Sequence, residues 1–177
     1  TGRNFTLNFS NISSAGILSV NFSGGPPSSS GLPLFEDIYV FNNLFPEGYW
    51  QLAKNAAFTF TGTFDLELIP AGFTTYPIDA NTRILSRPAA SNWTLNGTHE
   101  AGSPAILYRN GLTAFTNEYA VAPADICIPA FTGCPADIVV NNAPGTCGNT
   151  VSWVAPVMDL ACPGHVVTSN YNPGDLF

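Results

Sequence analysis

The segment Phe58-Thr59-Phe60-Thr61-Gly62-Thr63-Phe64-Asp65-Leu66-Glu67-Leu68 restricts the fold more than any other stretch of the chain. Phenylalanine or leucine occupies every second position on both sides of Gly62. Only an extended backbone sends alternate side chains to one face, so this period of two fixes β structure and a one-sided core. Two readings of the centre stay open: a hairpin with a short turn at Thr61-Gly62-Thr63, or one long strand bent at Gly62.

The same alternation recurs over 5–9, 16–22, 37–41, 49–53, 57–60, 64–69, 82–86, 105–108 and 112–120. Turn-forming segments separate these runs, among them Gly24-Gly25-Pro26-Pro27, Pro70-Ala71-Gly72 and Asn96-Gly97. No stretch keeps helical periodicity for three turns. About nine short strands imply an all-β chain, with an antiparallel β-sandwich over residues 1–122. Composition agrees, with 13 Phe, 16 Gly and 15 Pro and only 10% charged residues. After Val121, prolines and the first two cysteines arrive together and aromatic residues thin out. Residues 123–133 therefore read as a linker and 134–177 as a second, short unit.

Twelve acidic against five basic residues leave a net charge of -7. A chain with one lysine, Lys54, has no basic patch for a nucleic acid and nothing to dock on anionic lipid. No apolar run approaches the ~18 residues of a membrane span, so direct membrane insertion is not expected. The start at Thr1-Gly2-Arg3, without an initiator methionine, reads as a piece of a longer, processed polypeptide.

Four cysteines, Cys127, Cys134, Cys147 and Cys162, allow three pairings. They lack a C-x-x-C, and His99 and His165 have no partner at ligand spacing, which disfavours zinc. Disulfides and the scarcity of lysine place the chain in an oxidising, extracellular or cell-surface setting. Six Asn-x-Ser/Thr triplets, at Asn4, Asn8, Asn11, Asn21, Asn92 and Asn96, are candidate glycan acceptors there.

The inventory for catalysis is thin. No Gly-x-Ser-x-Gly elbow accompanies His99 or His165. Glu36-Asp37 and Asp65/Glu67 are the only carboxylate pairs of interest, and the second reads as a solvated outer face opposite Phe64, Leu66 and Leu68. No cofactor is implied; calcium is the candidate ion, with Asp125, Asp137, Asp159 and Asp175 in loops near the junction. Trp50 and Trp153 read as core, whereas Trp93 sits among polar residues and is the candidate ligand contact, for instance with a sugar ring.

The run Cys134-Pro135-Ala136-Asp137-Ile138-Val139-Val140-Asn141-Asn142-Ala143-Pro144-Gly145-Thr146-Cys147, continuing through Val151, Trp153 and Pro156 to Asp159 and Cys162, resembles the opening of a hyalin repeat (HYR) domain. That family consists of immunoglobulin-like extracellular modules associated with adhesion. The residues of 134–177 offer strand candidates over 137–141, 150–154 and 165–169, and the resemblance implies that this unit is a partial immunoglobulin-like module. It favours a Cys147–Cys162 disulfide under Trp153, leaving Cys127–Cys134 as the second pair. It also implies that the last two strands of the module lie outside this chain, in a neighbouring β module of the same or an adjacent chain.

Between Gly48 and Ala120, the segments Gly48-Tyr49-Trp50, Thr61–Leu66, Thr82–Arg87, Trp93 and Asn110–Ala120 resemble a β-sandwich module of large secreted surface proteins of Bacteroidetes, many of them type nine secretion substrates. Together the resemblances imply a non-enzymatic segment of an extracellular adhesin or filament, meeting a surface glycan or protein receptor. The alternatives are an accessory, carbohydrate-binding module of a secreted hydrolase and a polymerising subunit completed by strand donation.

Overall fold

The computed structural model describes residues 2–103, 106–158, 162 and 166–177. The chain is all-β, and thirteen strands are found among the described residues: β1 (Asn4–Ser14), β2 (Leu18–Gly24), β3 (Leu34–Glu36), β4 (Tyr39–Phe41), β5 (Gly48–Lys54), β6 (Thr59–Ile69), β7 (Arg83–Arg87), β8 (Thr98–Glu100), β9 (Leu107–Leu112), β10 (Glu118–Ala122), β11 (Asp125–Ile126), β12 (Phe131–Thr132) and β13 (Val157–Met158). They fall into two compact units, Thr1–Asp125 and Ile126–Phe177.

The first unit is an antiparallel β-sandwich. One sheet has the order β1-β6-β9-β8, the other β2-β5-β10-β7. Alternation explains the packing between them: Phe64, Leu66 and Leu68 of β6 meet Trp50 and Leu52 of β5 and Tyr119 and Val121 of β10 in one buried cluster. Phenylalanine rings interlock along it, with Phe9 within about 5 Å of Phe58, Phe60 and Phe64.

β6 settles the open question of the alternating segment. It is one strand running through Gly62, not a hairpin. Gly62 has a φ of 81°, and the β1–β6 register shifts beside it, between Phe9 and Asn11. Ser10 fills the bulge, its hydroxyl accepting from Thr63 N at 3.0 Å and donating to Thr63 O at 2.8 Å. An added Cβ at Gly62 would sit 2.6 Å from that hydroxyl.

The ribbons β1–β6 and β2–β5 are the two halves of one folded-over pair. Both chains cross between sheets at adjacent corners, 15–17 and 55–58, and Asn55 joins them. Its backbone N–H donates to Ile17 O at 3.0 Å, and its side-chain oxygen accepts from Ile17 N and Phe58 N, each at 3.1 Å. Gly16 is required by closeness, since a Cβ there would lie 2.4 Å from Phe58 N.

A further layer covers the outer face of the second sheet. The hairpin β3–β4 and the loop bearing Trp93 bury Phe41, Leu44, Leu85, Trp93, Ala120 and Ala122. β7 and β10 are consequently buried on both faces. The charged residues of these two strands, Arg83, Arg87 and Glu118, are therefore buried as well and pair with carboxylate or guanidinium partners.

The second unit has little regular pairing. β12 and β13 form a two-stranded ladder, and Thr150 bridges Leu176. Among the described residues, the expected strands over 137–141 and 150–154 are not formed; the expected strand 165–169 begins at His165, which lies outside the described residues. Residues 123–133, read as a linker, contain β11 and β12.

Candidate functional site

Glu36 ends β3 at the hairpin turn, where Asp37 adopts a φ of 56°. Its carboxylate meets two arginines that project from different sheets. Arg83 of β7 donates from Nε to Glu36 Oε2 at 2.6 Å. Arg109 of β9 forms a two-pronged contact, Nη1 to Oε2 at 2.9 Å and Nη2 to Oε1 at 2.7 Å. Arg83 Nη2 also reaches Asp37 Oδ2 at 3.5 Å, and other guanidinium donors reach backbone carbonyls of Asn81, Asn96 and Gly97. Both arginine side chains are almost fully buried, at 2% and 1% exposure. Burial opposes the charge on Glu36, but the hydrogen bonds and positive charge of Arg109 and Arg83 prevail and hold its carboxyl below the ordinary range. A carboxylate saturated in this way is an anchor, locked as the anion and fixing the β3–β4 hairpin to both sheets.

His99 of β8 stands nearby, its Nε2 2.8 Å from Ala80 O. Burial and the positive charge of Arg83 push its pKa down. A second ion pair, Arg87 Nε to Glu118 Oε2 at 2.6 Å, links β7 to β10. None of these arginines was singled out from the sequence. The available signal was a basic residue at each end of Arg83-Ile84-Leu85-Ser86-Arg87, at positions sharing a face with Leu85.

Trp93, expected as a ligand contact, is a core residue instead. It is 1% exposed, its indole N–H donates to Ser28 O at 2.6 Å, and Arg87 lies 4.1 Å from its ring centroid. Its polar sequence neighbours are loop residues over the second sheet, and the ring turns inward beneath them. Trp50 is core, as expected. Asp65 and Glu67 lie on the outer face, with Asp65 accepting from Gly111 N at 2.8 Å.

The cysteines depart from the expected pairing. Cys127 bonds Cys162, with an S–S distance of 2.01 Å, while Cys134 and Cys147 are free and exposed. The β12–β13 register explains it. Phe131 faces Met158 and Thr132 faces Val157, and Cys127 and Cys162 stand in the same register, their Cα atoms 5.7 Å apart. Cys147 sits in the turn closed by Ala143 N to Gly148 O.

Trp153, expected to pack on a disulfide, instead lines an open groove of about 630 Å³ in the second unit, together with Ile138, Val140, Val151, Tyr171 and Phe177. Its floor is made by the pairing of 149–151 with 174–177, including Asn149 N to Phe177 O at 3.0 Å and Val151 N to Asp175 O at 3.2 Å. Tyr171 stacks near Phe177 at 4.7 Å between centroids, and Trp153 meets the same ring edge-on at 6.2 Å. Val139 beside it is 91% exposed.

Among the calcium candidates, Asp125 and Asp137 are exposed, and Asp175 accepts from Asn172 N at 2.6 Å. Asp159 lies outside the described residues. Among the described residues no three His, Cys, Asp or Glu side chains gather as a metal site, and no helix is long and apolar enough to cross a membrane.

The triplet asparagines differ in their surroundings. Asn4, Asn8, Asn11, Asn21 and Asn92 are exposed, and Asn96 is half-buried. Asn96 donates from its amide nitrogen to Ser86 Oγ and Thr94 Oγ1, and Asn11 to Thr61 Oγ1.

No family model, no curated protein and no solved structure matches the chain.

Proposed function

We propose that this chain is a non-enzymatic segment of a large extracellular or cell-surface adhesin or filament protein, in which the sandwich is a stiff spacer and the second unit a contact surface. The apolar groove of the second unit carries this reading. Trp153, Tyr171 and Phe177 lie beside the exposed aliphatic residues Ile138, Val139 and Val140, a concentration that in water-soluble proteins marks a place where another protein binds. The sandwich supports the spacer role, since Arg83 and Arg109 tie both sheets to the β3–β4 hairpin through Glu36, and Arg87 joins β7 to β10 within one sheet. The partner is a neighbouring β module or a receptor on a facing surface, and the HYR resemblance of 134–177 supports the former.

The complete open reading frame tests this. Tandem β modules around the segment are expected; a catalytic domain in the same polypeptide would favour the accessory, carbohydrate-binding module of a hydrolase. The groove also favours a polymerising subunit, in which a strand from another copy fills it. That reading expects self-association of the purified chain that Val140→Lys abolishes.

A further inference from the structure

A β-sandwich has four sheet edges, and three devices usually blunt them: shortness, cover, and charge or proline. Here β8 is only three residues long, and β7 is covered by the Ser86–Thr94 bridge, with both backbone bonds near 3 Å. The other two edges, β1 and β2, are eleven and seven residues long. Neither contains a proline or a charged residue. Between them opens a cleft of about 370 Å³ lined by Arg3, Asn4, Phe5, Thr6, Val20, Phe22 and the core residue Trp50. By composition these are adhesive edges.

They carry a different device. Asn4 and Asn8 alternate along β1 with the inward-packed Phe5, Leu7 and Phe9, so both amides stand on the exposed face. Asn21 stands on the exposed face of β2, beside Phe22. Each begins an Asn-x-Ser/Thr triplet, completed by Thr6, Ser10 and Ser23. None of the three side chains forms a hydrogen bond among the described residues, in contrast to Asn96, whose amide nitrogen serves two acceptors.

We infer that Asn4, Asn8 and Asn21 carry N-linked oligosaccharides that shield the open edges β1 and β2 from pairing with another chain. In the transfer, the amide nitrogen attacks the anomeric carbon of an oligosaccharide borne on a lipid pyrophosphate. The C–N bond forms as the C–O bond to pyrophosphate breaks, the lipid pyrophosphate departs with the electron pair, and one amide proton passes to a base of the transferring enzyme. No oxidation or reduction occurs. Asn96 does not accept, because the linkage removes one of the two hydrogens that hold it to Ser86 and Thr94. The inference rests on the extracellular placement proposed above.

The test is expression of the full chain behind a secretory leader in a eukaryotic host, followed by peptide mass spectrometry after enzymatic glycan release in heavy-oxygen water. Label is expected at Asn4, Asn8 and Asn21 and not at Asn96, in a protein that sediments as a monomer. The N4Q/N8Q/N21Q variant, and the folded glycoprotein stripped by an endoglycosidase that leaves one sugar on each uncharged amide, are both expected to at least double in sedimenting mass at the same concentration. The enzymatic arm decides the matter where the variant does not fold. An unlabelled Asn4, Asn8 or Asn21, a labelled Asn96, or a stripped protein that stays folded and monomeric overturns the inference. The host and leader supply the secretory route, so these outcomes are independent of the adhesin reading, which the open reading frame tests.

Discussion

Arg109 grips Glu36 with two parallel hydrogen bonds, 2.9 and 2.7 Å long, across 73 positions of sequence. The same carboxylate also receives Arg83, so removing its charge strands two buried guanidinium groups at once. Glu36→Gln is expected to lower the unfolding free energy of the first unit by about 3–5 kcal/mol, the range for breaking a buried pair by deleting one partner. Urea titration followed by tryptophan fluorescence measures it. A loss below 1 kcal/mol would mean that water already screens the cluster.

Acid is expected to destabilise the fold in two stages. His99 has its pKa lowered by burial and by Arg83, so below the ordinary value of 6.5 the unfolded chain binds a proton that the folded chain resists, and stability falls as pH drops. Glu36 and Glu47 are also held low. For Glu47, burial raises the pKa, but hydrogen bonds from Thr74 N and Thr75 N outweigh it. Their contribution is present above the ordinary value of 4.5 and lost as pH falls through the lower folded values. Tyr119 runs the other way: burial raises its pKa, so stability declines as pH rises beyond 10.0. Melting temperatures measured from pH 3 to 11 should form a plateau between His99 and Tyr119, and His99→Gln should remove the first acid step.

Trp93→Phe retains most of the ring but deletes the indole N–H bonded to Ser28 O. The orphaned carbonyl is expected to cost about 1–3 kcal/mol. A ligand-contact tryptophan would behave differently, losing binding with stability unchanged, so calorimetry of the variant separates the two roles.

The unreduced protein is expected to contain two reactive thiols, Cys134 and Cys147, and one cross-link, Cys127–Cys162. Thiol titration and a disulfide-linked peptide map check both. With the bonded cysteines 35 positions apart, Cys162→Ser is expected to destabilise the second unit by about 4 kcal/mol through its freer unfolded chain. A linked peptide joining Cys147 to Cys162 would contradict the fold of this unit.

The sandwich was largely legible because its strands are one-sided: β1, β2, β5 and β6 alternate for seven to eleven residues, and periodicity needs that length to register. β3 and β8, at three residues each, carry no period and were missed. Thr61-Gly62-Thr63 was ambiguous because a bulge preserves the apolar parity that a hairpin would also show. The Glu36, Arg83 and Arg109 cluster was invisible because its members meet only after the sheets have stacked. The expected disulfide pairing fails for a related reason: β12 and β13 are two residues long, too short for periodicity to reveal that Cys127 and Cys162 come together. Alternation with Val151 points Trp153 to a core, but the sequence holds nothing to show that the face it lines stays uncovered.

The Cys127–Cys162 bond also has a mechanical meaning. Traction applied across the second unit passes through the sulfur bridge and skips the backbone between the two cysteines. About 35 residues are thereby withheld from stretching, roughly 110–120 Å of contour length at the reach of an extended chain. Oxidised, the unit yields only its short outer segments to a pull; reduced, it becomes an extensible tether.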